Sequence, residues 1–299
     1  MKISFLILQY NNSEDTLKCV KSINDVCSKS CNIQIVIVDN ASPRINKIEF
    51  ESALSDYSNL NVEIIYSKEN VGFSKGNNLG YMAVVKFNPD YLCVTNNDII
   101  FKTMNFDKIV DDIYNCTKFD ILGPDIYSPE NKNHQNPLAF HCQTKDEAIE
   151  LKTNLESDLK YYNSGTVPPK RQENVKNKFK QALKQSSFGG IIKSIQYNIY
   201  KRKNEIILHG SCLIVSQKYI LRSTKMFYPE TFMYHEEYLL GLRCKREKFK
   251  TIYSPRIKVI HNNGKSVETV SKDMVQRMIF SSNAMLHAVN IYINELENQ

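Results

Sequence analysis

Apolar residues recur along the first hundred positions in two alternating patterns. Residues 3–8 (ISFLIL), 33–38 (IQIVIV), 62–66 (VEIIY) and 91–94 (YLCV) are short, nearly continuous apolar runs, the pattern of strands buried on both faces. Behind the first run, Leu17, Val20 and Ile23 stand at helical spacing, with Ser13 as a helix N-cap and Glu14 and Asp15 in the first turn. Residues 77–86 read as a second helix. Alternating strands and helices predict a parallel sheet wrapped by helices. Such sheets bind ligands beyond the carboxyl ends of their strands. The polar residues just beyond the runs are therefore the candidates: Asn11, Asp39, Asn40, Asn96, Asn97 and Asp98.

The patterning changes after about residue 126. Residues 134–137 read as loop, 145–162 as a charged helix, and Pro168-Pro169 punctuates the chain. Strand-like runs return at 206–215 and 249–253, with a helix at 236–247 between them. Residues 270–296 read as a closing helix or pair of helices. The expected organisation is a first half over 1–125, a variable insertion over 126–204, a second half over 205–268 and a C-terminal helical segment over 269–299.

Composition narrows the class. With 299 residues, 42% hydrophobic and 24% charged, the chain is an ordinary globular protein rather than a disordered, collagen-like or disulfide-stapled one. Its eight cysteines form no CxxC pair and no zinc spacing, so they read as free thiols in a reducing cytoplasm. The opening apolar run is too short for a signal peptide, and no run approaches the roughly 20 residues of a membrane span. A cytoplasmic protein is expected.

The net charge of +7 admits nucleic acid, an anionic membrane or a negatively charged small substrate as partner. The excess is local. Residues 170–203 carry ten basic residues against Glu173 alone, a net +9, which leaves the remainder of the chain at −2. Val175, Phe179 and Leu183, then Phe188, Ile191, Ile192, Ile195 and Ile199, give this stretch an apolar helical face. A basic amphipathic helix suits the surface of an anionic membrane; a helix packed on the main domain with solvated lysines fits the same pattern.

Five motifs carry candidate chemistry. In IVIVDNAS, Asp39 ends a strand, where a carboxylate accepts hydrogen bonds from a base or ribose, or caps a turn. In NVGFSKGNNLG, Gly72, Gly76 and Gly80 are spaced by four, which is not the GxGxxG dinucleotide fingerprint. They allow close approach to a ligand or close helix packing. In YLCVTNND, Asp98 is an oxygen ligand for a hard cation or part of a polar turn. In FMYHEEYLLGLR, Glu236 and Glu237 are adjacent carboxylates, a general-base pair or a helix start. In VIHNNGKS, His261 is a metal or phosphate ligand or a core histidine.

Taken in order, LILQYNNSEDTLKCVKSI, IVIVDNAS, NVGFSKGNNLGY, YLCVTNND, HGSCLIVSQ, FMYHEEYLLGLRCKREKFKTIYSP and VIHNNGKS resemble the family 2 glycosyltransferases of GT-A fold. The likeness is greatest to bacterial members acting on cell-surface polysaccharides, often described as rhamnosyltransferases, and it covers about residues 1–125 and 205–268. The resemblance implies an α/β fold: a Rossmann-like nucleotide-sugar-binding domain with a mixed central sheet, a mostly helical basic insertion and C-terminal helices. It also implies inverting transfer from a UDP- or dTDP-linked sugar, with dTDP-rhamnose as the suggested donor, to a hydroxyl of a cell-surface glycan or lipid-linked precursor. Asp39 matches the acid that holds the nucleobase. Gln9, Tyr10, Asn11, Asn40, Gly72, Phe73, Gly76, Asn96 and Asn97 fall on the nucleotide side. Asp98 matches the last acid of a DxD-like motif and His261 a histidine near the metal, for Mg2+ or Mn2+. Glu237 matches the base, with Glu236 beside it. Three positions depart: Asn96 replaces an acid, Glu237 is longer than the usual Asp, and Leu239 stands where another acid is common. A degenerate protein that only binds nucleotide sugar is the alternative reading, and a basic nucleic-acid binder a weaker one. No nucleic-acid motif supports the latter. The basic segment would place the protein peripherally on the inner face of the membrane.

Overall fold

The computed structural model describes residues 1–169, 189–200, 206–262 and 273–298. Most of the basic segment, 170–188 and 201–203, lies outside them, as do Gly264 and Ser266 of the last motif. Among the described residues, nine strands form one mixed sheet: β1 (Lys2–Gln9), β2 (Asn32–Asp39), β3 (Asn61–Tyr66), β4 (Tyr91–Asn96), β5 (Ile99–Phe101), β6 (Ile121–Ser128), β7 (Asn133–His134), β8 (Cys212–Ser216) and β9 (Thr251–His261). The order is β3-β2-β1-β4-β8-β6-β9-β5, with β7 paired to β6. The first four strands are parallel, whereas β8 runs antiparallel to both β4 and β6, and β5 antiparallel to β9.

The four apolar runs become strands, and alternation sorts their side chains between two cores. Ile3, Phe5 and Ile7 pack on one face against Val20 and Ile23 of helix α1 (Ser13–Val26). Leu6, Val36 and Val38 pack on the other against Tyr81 and Val84 of helix α3 (Gly72–Phe87). Asn12, not Ser13, caps α1, its side chain accepting from the Asp15 amide. Helix α3 begins five residues earlier than expected, so its glycines lie within it. A Cβ at Gly80 would stand 2.1 Å from Leu6 Cδ1 and 2.8 Å from Val38 Cγ2; its absence lets α3 approach the sheet.

Helices α2 (Lys47–Ser55) and α4 (Phe106–Thr117) complete the first half. Helix α5 (Lys145–Asn163) starts with a reciprocal capping box between Thr144 and Glu147. Helices α6 (Gly189–Tyr200), α7 (Gln217–Arg222), α8 (Glu236–Arg246) and α9 (Met274–Glu297) come after it. The closing segment is a single helix, α9, packed along α5. The run 206–215 is strand only from Cys212 onward, and residues 133–134 are a short strand rather than loop. Among the described residues, no helix is long and apolar enough to cross a membrane. All eight cysteines are free thiols.

Candidate active site

Sheet register assembles the site. In-register pairing of β1 with β2 sets Gln9 beside Asp39, and Gln9 Nε2 donates to Asp39 Oδ2 at 2.8 Å. Asp39 Oδ1 accepts from the Ser42 amide at 3.0 Å. Gln9 in turn accepts from the Thr16 hydroxyl, and Asn97 Nδ2 donates to Thr16 Oγ1 at 3.1 Å and to the Asn12 carbonyl at 2.8 Å. One polar network thus ties the ends of β1, β2 and β4 to the start of α1. Tyr10 is half-buried just past the end of β1. Asn11 has φ 67°, donates its amide to Ser42 Oγ at 2.7 Å and leaves its buried Oδ1 without a partner.

Asn40 fixes the next loop. Its Nδ2 donates to Asn70 Oδ1 at 2.9 Å and to the Gly72 carbonyl at 3.1 Å, and its Oδ1 accepts from the Val71 amide at 2.9 Å. Gly72 has φ +81°, and a Cβ there would lie 2.2 Å from the Phe232 carbonyl oxygen. Only glycine meets both conditions. The Phe73 amide donates to that same oxygen at 2.6 Å. The close approach that Gly72 permits is therefore to the 227–235 segment of the protein itself. Gly76 is buried against Leu8, whose Cδ1 would be 2.7 Å from an added Cβ.

Antiparallel strands bring in the second half. β5 pairs Ile99 with His261, which sets Asp98 beside the end of β9. Asp98 Oδ2 and His261 Nε2 are 3.3 Å apart, and His261 Nδ1 lies 2.7 Å from Gln135 Oε1. A proton on Nδ1 toward Gln135 turns the Nε2 lone pair to Asp98, the usual second-sphere arrangement of a histidine ligand. The Asp98 carboxylate is the hard oxygen donor that suits Mg2+ or Mn2+. Among the described residues, no group of three or more His, Cys, Asp or Glu side chains converges on a metal position. Asp98 and His261 are the residues that would hold such a cation.

β8 opposes Thr95 with Cys212, so the residues before β8 lie against the end of β4. The Asn96 amide donates to the Ser211 carbonyl at 2.9 Å. Here a cleft of about 360 Å³ opens, with Phe73, Asn96, His209, Gly210, Ser211, His235, Glu236 and Glu237 among its lining residues. The structure therefore gathers Phe73, Asn96, Glu236 and Glu237 in one cleft, while Asp39, Gln9, Asn40 and Asn97 make the internal bonds beside it. Sequence reasoning missed His209, Ser211 and His235. The available signal was the polar triplet His209-Gly210-Ser211 directly before an apolar run.

The two carboxylates differ. Glu237 Oε1 accepts from the Gly210 amide at 3.1 Å. Burial pushes its carboxyl up, while this bond and its own amide hold it down. Glu236 is only 5% exposed. Burial first and the neighbouring Glu237 second push it up to about 8, against a smaller lowering by its own amide and the Thr231 hydroxyl. Burial thus raises both carboxyls, and the charge of Glu237 raises Glu236 further. Burial pushes His209 down to about 3 and His235 to about 4, so both rings are neutral.

Residues 4–222, nearly three quarters of the chain, match the family model described as Glycosyl transferase family 2. No curated protein sequence matches significantly. Many solved structures match this fold. The mannosyltransferase PcManGT from Pyrobaculum calidifontis, in complex with GDP-Man and Mn2+, aligns at TM-score 0.54 and 9% identity over 97% of this chain and 71% of that one. GalNAc-T7 with UDP, GalNAc and Mn2+ aligns at TM-score 0.54 and 12% identity, covering 87% and 43%. S. aureus TarS 1-349 aligns at TM-score 0.52 and 12% identity, covering 94% and 65%. Alignments with the UDP and UDP-GlcNAc complexes of TarS 1-349 have TM-score 0.37 and span only 36% and 35% of those chains. The architecture is that of the GT-A glycosyltransferases.

Proposed function

Because this chain belongs to glycosyl transferase family 2, we propose that it transfers a sugar, with inversion, from a nucleotide-diphospho sugar to an acceptor hydroxyl. The carrying observation is the cleft that gathers Glu237, its Oε1 bound to the Gly210 amide, with Asn96 at the end of β4. The acceptor oxygen attacks the anomeric carbon, the bond from that carbon to the phosphate oxygen breaks, and the nucleoside diphosphate departs. The acceptor proton passes to the Glu237 carboxylate. Glu236 keeps its own proton, so it adds no second charge beside the base. Asp98 and His261 would hold the divalent cation, which supplies neutralisation of charge on the leaving diphosphate. The network around Asp39 faces the nucleoside. UDP or dTDP carries the donor sugar, with dTDP-rhamnose the first candidate from the family resemblance.

The acceptor side points to a membrane-borne glycan precursor. In α6, Lys193 is 4% exposed, with Nζ on the Pro137 carbonyl at 2.8 Å, whereas Ile191 and Ile195 are 58% and 56% exposed. These apolar side chains face outward within the most basic stretch of the sequence, a combination that favours an anionic lipid surface. The test is donor turnover across a panel of nucleotide sugars with and without Mn2+. Cation-stimulated release of the nucleoside diphosphate from one donor is expected, and Asp98→Ala should abolish the cation response. Tight donor binding with no turnover toward any supplied acceptor or water would favour the degenerate, binding-only protein instead.

A further inference from the structure

Helix α6 belongs to the basic insertion, yet its inward face is built against the site. The buried Lys193 donates from Nζ to the Pro137 carbonyl at 2.8 Å. An ammonium is costly to bury unless its donors are met, so this seat is a specific one. A Cβ on Gly190 would stand 2.9 Å from Cε1 and 3.1 Å from Nε2 of His134, so the helix lies directly on that ring. The ring is held in turn by Asp125, with His134 Nδ1 and Asp125 Oδ1 2.7 Å apart. Further along α6, Tyr197 meets Tyr253 edge-on at 5.5 Å.

Residues 134–138 form a strap between α6 and the site. His134 and Pro137 meet α6, whereas the two residues between them face the chemistry. Gln135 Oε1 lies 2.7 Å from His261 Nδ1. Asn136 is fully buried; its Nδ2 donates to the Pro124 carbonyl at 2.8 Å, and its Oδ1 accepts from the His209 amide at 3.1 Å. The next amide in sequence, that of Gly210, is the one that donates to Glu237. Leu138 lines the cleft, and its own amide donates to the Ile207 carbonyl at 2.8 Å. The strap thus reaches the cation pair through Gln135 and the base through Asn136. Lys193 acts on the same region through its charge, which lowers His209 after burial and His261.

We propose that α6 braces the active site, with Lys193 and Gly190 as positioning residues that hold the strap while Gln135 and Asn136 transmit its position to His261 and Gly210. This rests on the transferase reading. A displaced strap moves the cation pair relative to the base, and attack on the anomeric carbon tolerates little misplacement. Side chains that orient a metal ligand typically matter roughly 10- to 100-fold. α6 acts through such a side chain, so its variants should cost less.

The experiment compares wild type with Lys193→Met, which keeps the side-chain length and removes its donors, and Gly190→Ala, which drives a methyl group into the His134 ring. Alanine is the better helix former, so a loss in the second variant does not come from melting α6. Nitrogen-15 NMR of the histidine rings in the apo full chain reports their tautomers. Wild type should carry the His261 proton on Nδ1, toward Gln135, and the His209 proton on Nε2, because its Nδ1 accepts from the Ser211 amide. In both variants the signals of these two rings should move. The Mn2+ needed for half-maximal release of the nucleoside diphosphate should rise by about three- to ten-fold, the effect of one hydrogen bond. If the variants melt lower but keep the wild-type ring signals and Mn2+ requirement, α6 only stabilises the fold; the brace is then wrong and the transferase reading stands. If wild type turns over no UDP-, GDP- or dTDP-linked sugar, the transferase reading fails and the brace falls with it, whatever the ring signals show. Should Gly190→Ala not fold, Lys193→Met still decides.

Discussion

Two adjacent carboxylates with the same chemical formula are given different work by their surroundings. Glu237 receives the Gly210 amide, and Glu236 is enclosed beside it. Replacing Glu237 by Gln should therefore lower turnover by about 10²- to 10⁴-fold, while nucleotide binding persists in titration. Loss of a few-fold only would remove it as the base. Glu236→Gln should act on stability instead. The Glu236 carboxyl sits at about 8 in the folded protein, well above its value of 4.5 in an open chain. Its favourable contribution is full below 4.5 and is lost as pH rises toward 8. The Gln variant should thus match wild type in melting temperature near pH 4 and exceed it progressively up to pH 8. A pH-independent difference between the two proteins would mean that the Glu236 proton is not retained on folding.

At the scale of elements, legibility in the sequence depends on strand direction. β1, β2 and β4 are parallel and buried on both faces, so their apolar runs and the polar residues at their carboxyl ends stand out, whereas the edge strand β3 is only partly covered. Asp39, Asn96 and Asp98 are legible for that reason. β8 is antiparallel and presents its amino end to the same edge, so His209 and Ser211 precede their strand and escape a search confined to carboxyl ends. β6 (ILGPDIYS) is interrupted by glycine and proline and by a register shift between Pro124 and Asp125; its pairing with β8 and β9, not its own pattern, makes it a strand. β9 continues through Pro255 to His261, well past the run at 249–253. The glycines of α3 carry both readings at once. Gly80 serves helix packing, whereas Gly72 joins the loop after Asn40 to Phe232. Gly72→Ala should cost about 1–3 kcal/mol from the left-handed backbone alone, with the clash at Phe232 in addition. A melting temperature within a degree of wild type would show that this junction yields readily.

For the whole molecule, charge and sheet order are the informative properties. The described part of α6 buries a lysine and exposes two isoleucines, the reverse of an ordinary surface helix. The chain should therefore float with anionic liposomes, less so as salt is raised, and lose this on deletion of 170–203. Sheet order has a different consequence, one of timing. β4 sits in the middle of the sheet, flanked by β1 on one side and by β8 on the other, yet about 115 residues separate β4 from β8 in sequence. During synthesis at about 5–20 residues per second, the nascent first half waits roughly six to twenty-three seconds with one side of its central strand unpaired. An open apolar edge of that kind is an aggregation template. Production in the cell should thus depend on chaperones that shield the edge until the second half emerges from the ribosome.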